Sequence, residues 1–267
     1  MSRTASLLDA KAMYAEAEPL KRRALVIDEA LYGVDHPEVA TRLNNLALLL
    51  KATNRFSEAE PLMRRAISIC EASYGDEHPN VATVLNNLAQ LLQDTNRLSE
   101  AEPLMRRALS IYEASYGEEH PNVAIRLNNL AQLLKSTNRL SEAEPLMRRA
   151  LSIYEASYGE EHPNVATGLN NLAQLLQATN RLSEAEPLMR RALSIDEASF
   201  GEEHPNVAIR LNNLALLLQA TDRLVEAEPL MRRAFKIFED SLGSDHPSTQ
   251  TVARNLNALI AQIAEQL

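Results

Sequence analysis

The residue types able to do chemistry in this chain of 267 residues stand in columns. Six histidines, His36, His78, His120, His162, His204 and His246, recur every 42 residues, and each is followed by proline. Histidines bind metals or move protons only where their side chains converge. Equivalent residues on neighbouring helices would lie about 9 Å apart at ordinary packing distances, far beyond metal bonds of ~2 Å. The column therefore predicts helix-start and turn residues. Cys70 is the only cysteine, so it has no disulfide partner, and its column holds Asp28, Tyr112, Tyr154, Asp196 and Phe238. That mixture points to an incidental half-buried thiol and not to a nucleophile. The chain shows no phosphate-cradling glycine loop, no Cys-x-x-Cys pair and no serine elbow. We expect no catalytic residue, no metal and no cofactor, and hence no enzyme.

The columns sit on elements that the punctuation defines. Gly33, Gly75, Gly117, Gly159, Gly201 and Gly243 share the period of 42, and all twelve prolines fall in two columns. From Pro37 to about Thr53, apolar residues at Val39, Leu43, Leu46, Ala47 and Leu50 follow a helical period, with proline in the first turn where a missing N–H is harmless. From Ser57 to Ser73, Ala59, Leu62, Met63, Ala66, Ile69 and Cys70 share one face. Ser57 with Glu60 predicts a capping box, Pro61 falls in the first turn, and Gly75 supplies a left-handed closing residue. The first helix of each unit is called A and the second B.

The fold class is thus all-α, a right-handed superhelical solenoid of antiparallel helix pairs. A single solenoid over residues 1–267 would comprise a partial repeat at 1–33, full repeats at 34–75, 76–117, 118–159, 160–201 and 202–243, and a capping helix at 244–267. In that last helix Asn257 replaces the small residue of the Ala47 column, which suits a face left in water.

The spacing of Leu43, Leu46, Ala47, Leu50, Ala59, Met63 and Ala66 matches the tetratricopeptide pattern, in which small residues let paired helices approach. With its longer unit and its LNNLA, EAEPL and YGxxHP segments, the chain resembles the kinesin-light-chain-like subfamily of tetratricopeptide repeat proteins. The coiled coil that the resemblance would lead one to expect upstream does not appear, so a motor subunit is not the reading. The resemblance implies a concave groove lined by the A helices and a convex side formed by the B helices. Glu60 and Arg64, at i,i+4 and repeated, then read as solvated helix support in preference to a basic binding stripe.

The face of helix A opposite its core holds Thr41, Asn45, Leu48 and Ala52, with Asn44 at the shoulder. One column runs Asn45, Asn87, Asn129, Asn171, Asn213, Asn255, and the preceding one Asn44, Asn86, Asn128, Asn170, Asn212. Amides donate and accept, so such a ladder can hold an extended peptide backbone of any sequence. The resemblance implies that role for the six residues from Asn45 to Asn255; the alternative is that these amides bond adjacent helices and fix the pitch. Columns that vary would supply selectivity: Gln90, Gln132 and Gln174, Lys51 and Lys135, and Arg42, Arg126 and Arg210 in alternate units. The alternative for the arginines is a flank position bonding a neighbouring helix.

The reading is therefore a scaffold for an extended peptide segment or a partner protein, with end-to-end self-association as the second reading. A net charge of −9 gives no electrostatic reason to expect nucleic acid or an anionic membrane. No apolar run approaches the roughly 20 residues of a membrane span, and nothing at the N-terminus has a signal peptide's apolar core. The expected location is cytoplasmic.

Overall fold

The computed structural model describes residues 14–266, and the helix A remnant expected earlier in the chain lies outside them. Every element among the described residues is a helix. The A helices are α2 (Pro37–Ala52), α4 (Pro79–Asp94), α6 (Pro121–Ser136), α8 (Pro163–Ala178), α10 (Pro205–Ala220) and α12 (Pro247–Gln266). The B helices are α1 (Tyr14–Tyr32), α3 (Phe56–Tyr74), α5 (Leu98–Tyr116), α7 (Leu140–Tyr158), α9 (Leu182–Phe200) and α11 (Leu224–Leu242). These residues fall into two compact units, one ending at Thr137 and one beginning at Asn138. In each unit, consecutive helices pack on one another as tetratricopeptide-like pairs.

Local chemistry starts and stops each helix. His78 stands at the N-cap of α4, where its Nδ1 accepts the N–H of Asn80 at 3.1 Å, and Pro79 occupies the first turn. At the other end the Thr95 hydroxyl returns to the carbonyls of Leu91 and Leu92. Asn96 then takes φ 59°, one of five Asn or Asp residues that turn A into B through the left-handed region. Helix B ends differently from the expectation: Gly75 has φ 87° and ψ 160°, not the left-handed helical cap but an extended mirror region that glycine alone occupies readily.

Two further details correct the sequence reading. α3 begins at Phe56 with Arg55 as its N-cap and no side-chain capping bond, so Ser57 lies inside the helix and no capping box forms. The Glu60 carboxylate is drawn instead to Arg64 and to Arg97 of the next repeat. Pro61 consequently falls in the second turn, where it removes one intrahelical bond, and it is exposed.

The core is built as the spacing requires. Leu43, Leu46, Ala47 and Leu50 of α2 are buried against Ala59, Met63 and Ala66 of α3, with alanines where the helices approach. Leu49 and its equivalents Leu91, Leu133, Leu175 and Leu217 are buried as well. The A helices α2, α4, α8 and α10 each pack against their own B helix and against the preceding one, which makes their apolar arc wider than a single partner would need. Thr41 and Ala52 remain exposed, and Asn45 and Leu48 half-buried. In α12, Gln250 and Asn257 are exposed where the corresponding Ala40 and Ala47 are buried, so this final face is a polar cap.

Candidate binding face of the A helices

The histidines hold the starts of the A helices. All six accept a backbone N–H through Nδ1 at the start of an A helix. Five also stack on the aromatic residue that ends the preceding B helix, as in Tyr74 with His78 at 4.5 Å between centroids. The sequence reading found the cap and missed the stack, though an aromatic four residues before His in five of the six repeats was its visible signal. Among the described residues no group of His, Cys, Asp and Glu is placed to hold a metal. Cys70 is buried, and that burial, with Glu71 nearby, pushes its thiol up from its ordinary pKa.

The two asparagine columns bond to each other. Asn87 Nδ2 donates to Asn44 Oδ1 at 3.0 Å and Asn129 to Asn86 at 3.0 Å; in the other unit Asn213 donates to Asn170 at 2.9 Å and Asn255 to Asn212 at 3.0 Å. The ladder runs from the second column of one A helix to the first column of the A helix before it. Asn86, Asn128 and Asn170 are buried, whereas Asn45, Asn87, Asn129, Asn171, Asn213 and Asn255 stay half-buried. Asn87, Asn129 and Asn255 each still have one N–H and the carbonyl oxygen to offer, whereas the Asn213 oxygen accepts from Asn212 at 3.5 Å.

The arginines point into the junctions between repeats. Arg42 Nε lies 2.6 Å from Asp28 Oδ2, and Arg210 Nε lies 2.8 Å from Asp196 Oδ2. Arg126 donates to the Tyr112 hydroxyl at 3.0 Å, and its guanidinium carbon stands 4.5 Å from the centre of that ring. The partner is always fourteen residues earlier, on the preceding B helix. In the intervening repeats the same two positions are Cys70 with Val84, Tyr154 with Gly168, and Phe238 with Val252. The pair thus changes as a unit: at Gly168 an added Cβ would meet Tyr154 Cδ2 at 3.6 Å and Leu151 Cδ1 at 3.3 Å, so that glycine makes room for the neighbouring helix.

Lys51 reaches across to Asp94 on the next A helix at 3.0 Å, and Gln219 makes the equivalent reach to Gln262 at 2.8 Å. Lys135 is half-buried, and desolvation holds its ammonium below the ordinary lysine pKa. Gln90, Gln132 and Gln174 lie half-buried on the same helix face.

The B helices carry a brace that the sequence reading saw only in part. Glu60 bonds Arg64 as expected at i,i+4, but its other oxygen takes Arg97 Nη1 at 2.6 Å from the following repeat. Arg97 in turn grips Glu100. The arrangement recurs at Arg55, Arg181 and Arg223. A second brace ties Arg65, Arg107, Arg191 and Arg233 to Glu29, Glu71, Glu155 and Glu197 of the repeat before. The hydrogen bond from Arg97, then that from Arg64, holds the Glu60 carboxyl below its ordinary value. The constancy of Arg55, Arg97, Arg139, Arg181 and Arg223 was the available signal.

These features define a helical-repeat scaffold, and the tetratricopeptide repeat family matches at residues 5–72, 57–114, 97–156, 142–198 and 165–240. The chain belongs to that family, whose fold is in general a non-catalytic scaffold for protein interaction. Kinesin-light-chain-like repeat proteins are among the solved structures it resembles. BtubC (BKLC) from P. vanneervenii is 26% identical with a TM-score of 0.69, over 88% of this chain and 92% of that one. A kinesin-light-chain-like protein of Podosopora anserina with nearly identical TPR-like repeats is 24% identical with a TM-score of 0.66, over 78% and 98%. No curated protein matches the chain. No described helix is long and apolar enough to cross a membrane.

Proposed function

We propose that this protein is a peptide- or protein-binding scaffold that receives an extended segment on the exposed face of its A helices. The observation that carries the reading is that the outer asparagine column retains bonding capacity after the ladder is made, beside glutamines on the same face. Asn87 and Asn129 each spend one N–H on the ladder, and their carbonyl oxygens and second N–H are left for a peptide backbone. Gln90 and Gln132 lie one turn-neighbour away and would add side-chain selectivity. Because Arg42, Arg126 and Arg210 are engaged within the junctions, they are not assigned to the selection of acidic residues in this reading. End-to-end self-association meets a contrary observation in the polar Gln250 and Asn257 on the final helix face, where stacking would need small apolar residues.

Panning a random dodecapeptide library on the whole protein tests the proposal. Selected peptides should lose severalfold affinity with Gln90→Ala/Gln132→Ala, a loss on the order of 1 kcal/mol, while the thermal midpoint stays unchanged. Failure to select any peptide, or affinities indifferent to the double substitution, refutes this face as the binding site.

A further inference from the structure

The junction residues come in sets of three: one on an A helix, one on its B helix, and one on the next A helix. In two junctions the set is polar and closed. Thr83, Tyr112 and Arg126 form a chain, with Thr83 Oγ1 2.7 Å from the Tyr112 hydroxyl and Arg126 donating to that same hydroxyl. In the second unit Arg210 bonds both Asp196 and, at 3.3 Å, Thr167. In two other junctions the corresponding sets are Thr41, Cys70, Val84 and Ile209, Phe238, Val252. There no side chain crosses from the next A helix, and a pocket stands in its place.

The pocket at Cys70 and Val84 has a volume of about 210 Å³, and the one at Phe238 and Val252 about 280 Å³. They occupy the same place in the repeat, four repeats apart. Not one lining residue of either pocket is charged, in a chain of which 24% of residues are charged. Asn44 and Asn212 of the inner asparagine column stand in their walls, so each pocket opens beside the ladder. An uncharged wall with no counter-ion rejects a cationic or acidic occupant, because a charge there would lose its water without gaining a partner.

We propose that the two open junctions are sockets for branched aliphatic side chains, of leucine type, carried by an extended peptide on the A-helix face. Arg126 and Arg210 close the corresponding sockets in the plugged junctions. The chain's own plugs show that one long side chain can lie there, and the apolar floors at Cys70, Val84, Phe238 and Val252 select an aliphatic one. The inference rests on the binding face proposed above and names the class of residue that face would read.

The probe is N-acetyl-leucine methylamide, titrated to tens of millimolar against the whole protein with valine, threonine and isoleucine methyl groups followed by NMR. The glycine, aspartate and tryptophan analogues serve as comparators. Saturable shifts at Val84 and Val252 with the leucine probe, absent with glycine and aspartate, support the sockets. Cys70→Tyr/Val84→Arg transplants the Tyr112 and Arg126 plug, and should abolish the response at Thr41 while sparing Val252. Tyr112→Cys/Arg126→Val removes that plug, and should create a new response at the methyl groups of Ile125, which do not line the Cys70 pocket, so the test stays decisive if the first variant does not fold. No saturable response, equal response to aspartate, or preference for tryptophan overturns the proposal. Peptides selected by panning that ignore both variants would overturn the sockets and leave the binding face standing. Leucine-specific shifts with no selectable peptide would sustain the sockets and overturn the binding face.

Discussion

The buried ion pair between Asp196 and Arg210 offers a test of how the junctions work, because the protein itself contains the apolar replacement. Asp196 is 0% and Arg210 8% exposed, and the second carboxylate oxygen of Asp196 is buried without a hydrogen-bond partner. Arg210→Val removes the guanidinium bonded to a carboxylate that cannot reach water. An uncompensated buried charge costs about 3 to 5 kcal/mol. Asp196→Phe strands the arginine, but its long side chain can swing its head toward solvent, so about 2 kcal/mol is expected. Asp196→Phe/Arg210→Val recreates the pair found at Phe238 and Val252. Since well-packed apolar replacements of buried pairs range from neutral to stabilising by about 1 to 4 kcal/mol, the double variant should match or exceed the parent. Urea unfolding of the four proteins measures the coupling, with a value above ~3 kcal/mol expected. Additive losses, with the double variant the least stable of all, would refute the view that each junction is a matched unit.

Other consequences concern the frame. Ala89→Leu, which adds volume where α4 meets α5 at a fully buried alanine, should destabilise by about 1 to 3 kcal/mol in denaturant titrations; a neutral outcome would contradict the close packing. Gly117→Ala meets no atom within 4 Å, yet φ 86° with ψ 154° strains any L side chain, so a loss of about 1 to 3 kcal/mol is expected from backbone strain alone. His120→Ala should cost about 1 kcal/mol by removing the cap, and His120→Asn should recover most of it because its oxygen can accept the same N–H; equal losses would assign the stability to the Tyr116 stack instead. Glu60 and Glu144 are held below the ordinary carboxylate value of 4.5 by arginine hydrogen bonds. Their stabilisation is therefore complete above that value and is lost as pH falls through the lower, folded one. Thermal midpoints should drop on the acid side, and Glu60→Gln/Glu144→Gln should flatten that limb; an unchanged limb would mean the braces contribute nothing.

Much of the frame is local, and the sequence therefore contains it. Proline after histidine marks the start of each A helix and glycine the end of each B helix, because a helix cap or a breaker acts within one turn of its own position. Local rules also failed locally. Ser57 and Glu60 have the spacing of a capping box, but Arg97, 37 residues on, offers Glu60 a charged partner worth more than a backbone N–H.

The candidate face was legible as a set of columns and not as a set of bonds. The sequence places Asn44 beside Asn45 and Arg126 in an alternate unit. Whether an amide faces a peptide or the next helix depends on how one repeat sits on another. The tertiary structure decides that Asn87 meets Asn44, that Arg126 lies over Tyr112, and that Lys51 meets Asp94. Those contacts span 43, 14 and 43 residues, distances at which helical periodicity carries no phase information, and the packing of the Ala and Leu core sets the phase between helices. One trace was present in the sequence all the same. Asp28 with Arg42, Cys70 with Val84 and Phe238 with Val252 vary together, because two side chains that fill one junction must match in charge and volume.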